Sequence, residues 1–261
     1  MSSKFMTMTG LMTKNPVIDI DELTLAGQEI VNSDEFTIDV LDGDGISEPY
    51  LIHCNGLDMS LLTIAKPIPF SSLKEPYEES ILFWPEVRDD FSHHRSHIAL
   101  SMNKPINDFG DFLEAAFTIT VLTGAICQIS DAIGTYWDDA EWLTARDDTL
   151  AAAMEACQGE PPVNQWIRLS LRPGKDDTTG IFTRGLQPFV GREIEFPPTD
   201  LMDIEDMIDR VSGLSKYLIL NGLVVKDNDT VGMSRNERLL VTYKDSNINP
   251  GTPVLSLQVA G

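Results

Sequence analysis

Stretches in which every second residue is apolar and stretches in which apolar residues recur every three or four positions are grouped along this chain, not interleaved one for one. In the first half, Ile20, Leu23, Ala26 and Ile30 keep helical spacing, and residues 18–31 are expected as a short helix. Residues 36–41 alternate and predict a strand, closed by an Asp42-Gly-Asp-Gly45 turn. Residues 50–54 return as a second strand, Asn55-Gly56 is a strong hairpin turn, and residues 57–65 form a third strand ended by Pro67 and Pro69. A helix over 75–83, a buried strand over 97–102 and a long helix over 108–129 follow. Residues 134–137 are short and aromatic, a strand or a turn, and 141–157 is an Ala-rich helix whose acidic start is Asp138-Asp139-Ala-Glu141.

In the second half, residues 166–171, 181–186 and 192–196 alternate as strands, and two more close the chain at 238–243 and 254–259. Between them, residues 191–222 give the clearest statement of local structure. A strand with Ile194 and Phe196 on one side runs into Pro197-Pro198 and then into an amphipathic helix. Ile204, Met207, Ile208, Val211, Leu214 and Leu218 form its apolar stripe, with Asp200 as the expected N-cap and Gly222 as the C-cap. At about 100° per residue, Glu205, Asp206 and Asp209 fall on the opposite side.

Grouped strands and helices predict an α+β fold: two halves of similar plan, mostly antiparallel sheets, and helices packed on one face. The expected division is a flexible start at 1–17, an N-terminal half at 18–160 and a C-terminal module at 161–261, with Gly159-Glu-Pro-Pro162 as linker. The opening segment lacks the continuous apolar core of a secretion signal, and the longest apolar run, 117–129, is broken by threonines and a glycine and falls short of a membrane span.

Charge changes the picture more than hydrophobicity does. The hydrophobic fraction, 42%, is ordinary for a globular protein, but 19 basic residues against 41 acidic ones leave a net charge of −22. Such a chain is repelled by nucleic acid and by anionic membranes, and either suits a basic partner or simply keeps the protein in solution. Between Lys14 and Lys66 there is neither Lys nor Arg, while the same window holds Asp39, Asp42, Asp44, Glu48 and seven other acids. Asp42, Asp44 and Glu48 here, and Glu205, Asp206 and Asp209 on the C-terminal helix, are the candidate partner-binding residues.

Candidate chemistry is sparse. His93, His94 and His97 are candidate metal ligands by residue type, but no metal is expected, since the cluster also reads as a polar turn plus one histidine satisfied at the sheet edge; if His97 opens a strand, His93 shares its face and His94 points away. The Asp42-Gly-Asp-Gly45 turn lacks the acids a calcium loop needs, since Val40 and Leu51 stand at those positions. The Asp138–Glu141 acids are sequence neighbours, which usually diverge instead of facing each other across a cleft, and they are expected to mark a helix start. Gly185-Leu-Gln-Pro-Phe-Val-Gly-Arg192 is not a phosphate loop, because no helix is expected to start there. Cys54, Cys127 and Cys157 are expected as reduced, mostly buried thiols. No nucleophile elbow, P-loop or dinucleotide fingerprint occurs, so neither an enzyme nor a cofactor is expected.

Gly191-Arg-Glu-Ile-Glu-Phe196, the acidic helix ending in Tyr217-Leu-Ile-Leu-Asn-Gly222, and Asp227-Asn-Asp-Thr-Val-Gly232 resemble the C-terminal module of a bacterial domain-of-unknown-function family, number 4261 in its series. Ile64-Ala-Lys-Pro-Ile-Pro69, His94-Arg-Ser-His-Ile98 and Thr135-Tyr-Trp137 look like the matching upstream part. The resemblance carries no reaction and no catalytic residues. It implies a companion in bacterial toxin systems, of the kind served by type VI secretion. The expectation is a cytoplasmic immunity protein that neutralises a basic toxin, a nuclease, by steric and electrostatic blocking. The alternatives are an adaptor or chaperone for a secretion-system effector and a metal-dependent hydrolase built on the three histidines.

Overall fold

The structure, a computed structural model, describes residues 6–45, 48–106, 108–234 and 237–259. The chain divides into two compact units, Met1–Gln165 and Trp166–Gly261, five residues beyond the expected boundary at 160. Each pairs one sheet with helices, and the fold is α+β with mostly antiparallel strands.

In the first unit, β1 (Thr7–Met12), α1 (Ile20–Val31), β2 (Ile38–Asp42), β3 (Tyr50–Cys54) and β4 (Leu57–Ile64) lead into α2 (Phe70–Ser80) and α3 (Val87–Phe91). Then come β5 (Ser96–Met102), α4 (Phe109–Ile129), β6 (Ala132–Trp137), β7 (Trp142–Ala145) and α5 (Arg146–Cys157). The seven strands are ordered β2-β3-β4-β5-β1-β6-β7, and every neighbouring pair is antiparallel.

This order corrects the reading of residues 1–17 as a flexible start. Residues 1–5 lie outside the described residues, but Thr7–Met12 is a central strand, hydrogen-bonded to β5 on one side and β6 on the other. Both its faces are covered. On one, Thr135, the partner of Gly10, meets Thr149 of α5 with hydroxyls 2.9 Å apart. On the other, Leu11 packs with Leu73 of α2, Trp84, Val87 of α3 and Leu143 of β7. The larger helical layer, α1, α4 and α5, lies on the first face, and α2 with α3 makes a smaller cluster on the second.

α4 is long and apolar enough to cross a membrane by length and composition, contrary to the reading of its sequence, but most of that stretch is buried inside the protein. Its threonines are tolerated there because their hydroxyls donate to the carbonyl one turn back: Thr120 to Ala116 and Thr123 to Ile119, each at 2.7 Å. Gly124 sets the approach of α5: a Cβ at that position would sit 2.3 Å from the Cβ of Ala153.

Three further expectations for this unit are corrected. The expected helix at 75–83 begins at Phe70, and α3 follows it unannounced. The expected helix at 141–157 is two elements, because Trp142 and Leu143 pair with Trp137 and Tyr136 before α5 begins. The Asp138–Glu141 segment is therefore a hairpin turn, with Glu141 in the left-handed region at φ 50°.

A short helix, α6 (Val163–Trp166), reaches the second unit: β8 (Arg168–Pro173), β9 (Thr179–Arg184), α7 (Gln187–Val190), β10 (Glu193–Thr199), α8 (Ile204–Asn221), β11 (Thr230–Val231), β12 (Leu239–Asp245) and β13 (Pro253–Val259). The strand order is β11-β12-β13-β10-β9-β8, with β10 and β13 parallel and the other pairs antiparallel. β10 continues past the expected end at 196; its register with β9 breaks between Phe196 and Thr199, where Pro197 and Pro198 have no N–H to give the ladder. α8 buries Met207, Val211, Leu214, Leu218 and Ile219. Its N-cap is Asp203, not the expected Asp200: the Asp203 carboxylate accepts the N–H of Asp206 at 2.9 Å.

Candidate partner-binding site

β2 and β3 form a hairpin at one edge of the first sheet. Beyond Ile38, every residue of β2 is exposed. Asp42 caps the turn by accepting the N–H of Gly43 at 2.8 Å; Gly43 stands at φ 86°, and a Cβ there would lie 2.0 Å from the Pro49 carbonyl oxygen. Asp44 accepts the N–H of Glu48 at 3.1 Å, and Gly45 donates to the Glu48 carbonyl at 2.9 Å. These bonds fix the turn and leave all three side chains, Asp42, Asp44 and Glu48, exposed at one end of the hairpin. Ten of the eleven acids between Lys14 and Lys66 are exposed, and only Asp58 is half-buried. Asp58 bonds His53 Nδ1 at 2.7 Å, and that bond, with the nearby charges of His53 and Lys104, lowers its carboxyl below the usual range.

The C-terminal strip is less uniform than its sequence. Glu205 and Asp209 are exposed on α8, but Asp206 is tied to Arg210 at 2.5 Å, and Arg210 is also held by Glu237 at 2.8 Å. One of the three acids is thus engaged within the protein, although Arg210 is shared by Asp206 and Glu237 and the group keeps a net negative charge. The hairpin acids and this strip belong to different units.

The three histidines do not share one strand face. Residues 92–95 form a turn after α3 and not the start of a strand, so alternation does not apply to them. His94 is buried, with its ring 5.3 Å from Phe91 and 6.4 Å from His97, whereas His93 is exposed and bonds the Asp89 carbonyl. His97 Nδ1 donates to the Lys66 carbonyl at 2.7 Å. Burial pushes His94 down to about 4 and lowers His97 as well. Among the described residues no group of three His, Cys, Asp or Glu side chains is placed to hold a metal ion. The three thiols are free; burial pushes Cys54 and Cys127 up to about 12 and raises Cys157, which disfavours a reactive thiolate in each. A polar cavity of about 370 Å³ in the first unit is lined by Ser71, Ser72, Glu75, Tyr136, Asp138 and Glu141.

In the second unit the segments that carry the family resemblance are structural anchors. Glu193 is buried in a cradle built by the turn before α7. It accepts the hydroxyl of Thr183 at 2.7 Å and the N–H groups of Gly185, Leu186 and Gln187 at 3.0, 3.1 and 3.0 Å. A short helix does start in the 185–192 loop, contrary to expectation, and the anion at its first N–H groups is the protein's own carboxylate. Burial pushes Glu193 up to about 7, against the pull of those four donors. Glu195, also buried, accepts the hydroxyl of Ser246 at 2.5 Å and pairs with Lys244 at 3.1 Å. Arg192 lies 4.0 Å over the ring of Tyr243, whose own N–H donates to Asp227 at 2.8 Å. Asp229 accepts the N–H of Lys226 at 2.7 Å. Strand alternation pointed to Ile194 and Phe196 and missed Glu193 and Glu195; their being two acids inside a strand flanked by apolar residues was the available signal.

Residues 182–258 match the family described as "Domain of unknown function (DUF4261)". The match runs from β9 to β13 and lies wholly within the second unit; the upstream segments at 64–69, 94–98 and 135–137 fall outside it. No curated protein matches the chain, and no solved structure does.

Proposed function

We propose that this protein is an immunity protein: it binds a cognate secreted antibacterial toxin, a basic nuclease, and neutralises it in the cytoplasm by covering its active surface. The observation that carries the reading is the β2–β3 hairpin, an exposed acidic edge in a window without Lys or Arg. Asp42, Asp44 and Glu48 stand at its tip, and Glu205 and Asp209 offer a second acidic strip on α8. A nuclease that grips phosphates presents a basic surface, and an acidic protein meets it where the nucleic acid would lie. Such a protein works by occupancy and needs no cofactor, nucleic acid or membrane.

The test is co-expression with the product of the neighbouring gene. Rescue of growth together with co-purification is the expected outcome. Loss of both sinks the reading, and co-purification without rescue points instead to an adaptor that loads an effector.

A further inference from the structure

The four sheet edges are not equally open. β7 and the first half of β8 are buried, and β11 is only two residues long. β2 has five residues, of which Asp39, Val40, Leu41 and Asp42 are exposed, and among the described residues no strand pairs with its outer side. Such an edge is a template for one more strand.

The register of β2 on β3 gives the edge a specific pattern. Asp39 stands opposite His53, Val40 opposite Ile52, and Asp42 opposite Leu51, so Leu41 is the extra residue of a β-bulge. His53 and Leu51 point to one face of the sheet, and Ile52, fully buried, points to the other. The bulge therefore brings Asp39 and Asp42, three residues apart, onto the same face. Val40 lies on the core face but is 47% exposed, because the sheet stops there; Leu41 is 58% exposed.

Charge selects the occupant. A second copy pairing edge to edge would set Asp39 and Asp42 against carboxylates of its own kind, and like charges directly opposite destabilise a sheet. Acids and bulges commonly guard sheet edges, but a guard of one sign repels only strands that match it or bring no compensating charge. We propose that β2 is a docking edge that takes one further strand from a basic protein partner. Lys or Arg at alternate positions would face Asp39 and Asp42, and the apolar residue between them would cover Val40. This rests on the reading of the acidic hairpin as the binding surface, and it names the form of the partner's contact.

The test uses the full chain and two peptides of equal charge, one alternating Lys and Val, the other with each Val replaced by Pro. The alternating peptide is expected to bind at least about tenfold more tightly in low salt. It should also slow amide exchange across residues 38–42, and lose its binding in the Asp39→Lys, Asp42→Lys variant. Equal binding by both peptides, with no slowing at 38–42, overturns strand addition while leaving the acidic surface as a binding site. Binding by neither peptide overturns both.

Discussion

Glu193 has almost no access to water, and its four donors come from the neighbouring strand and turn. Glu193→Gln keeps the shape but turns an N–H₂ group toward donors, and it should cost the second unit roughly 2–3 kcal/mol in chemical denaturation. Because its folded value is raised to about 7, the folded unit binds a proton that the unfolded chain has released between the ordinary carboxylate range and pH 7. That contribution to stability is complete at low pH and is lost as pH rises to 7, and the Gln variant should lack it. His94 has the opposite sign. Buried and held down to about 4, it leaves the folded state unprotonated while the unfolded chain gains a proton below pH 6.5. Stability should therefore fall between pH 6.5 and 4, and fall less in His94→Phe, measured as denaturation midpoints across that range. Neither role was legible beforehand. A strand's alternation separates two faces but does not say that both are buried, and three of the four Glu193 donors are turn N–H groups that carry no residue signature.

β1 shows where element-level reading stops. Its sequence, Thr-Met-Thr-Gly-Leu-Met, alternates only over its first three residues, and its threonines and glycine give it too little apolar character to read as a central strand. Only the sheet order, set by residues some ninety to one hundred and thirty positions away, makes it one. Removing residues 1–12 should abolish the cooperative unfolding transition of the first unit, whereas a frayed start would leave the transition unchanged. The same limit split the 141–157 helix, because the pairing of Trp142 with Trp137 is a tertiary fact that helix propensity does not contain. Elements with strong local signals were legible: α1, α8, and the hairpin turned by Asn55-Gly56. At the α4–α5 contact, Gly124→Leu should overpack the helices and cost about 1–3 kcal/mol or more in the thermal or denaturant midpoint.

At the scale of the whole molecule, a charge of −22 acts at distances longer than any contact, within a screening length of about 8–10 Å at ordinary salt. Composition gives this sign, and the order of residues gives the absence of Lys and Arg between Lys14 and Lys66. What it does not give is the edge position of β2, the bulge that aligns Asp39 with Asp42, or the capture of Asp206 by Arg210. These are results of folding, and they move the weight of the proposed binding surface toward the hairpin. The most direct measurement is the association rate with the co-purified partner as salt is varied, for the natural chain and for Asp42→Lys, Asp44→Lys, Glu48→Lys. The account predicts at least about tenfold slower association of the variant at low salt, and a flatter salt dependence. An unchanged rate with an unchanged slope would contradict it.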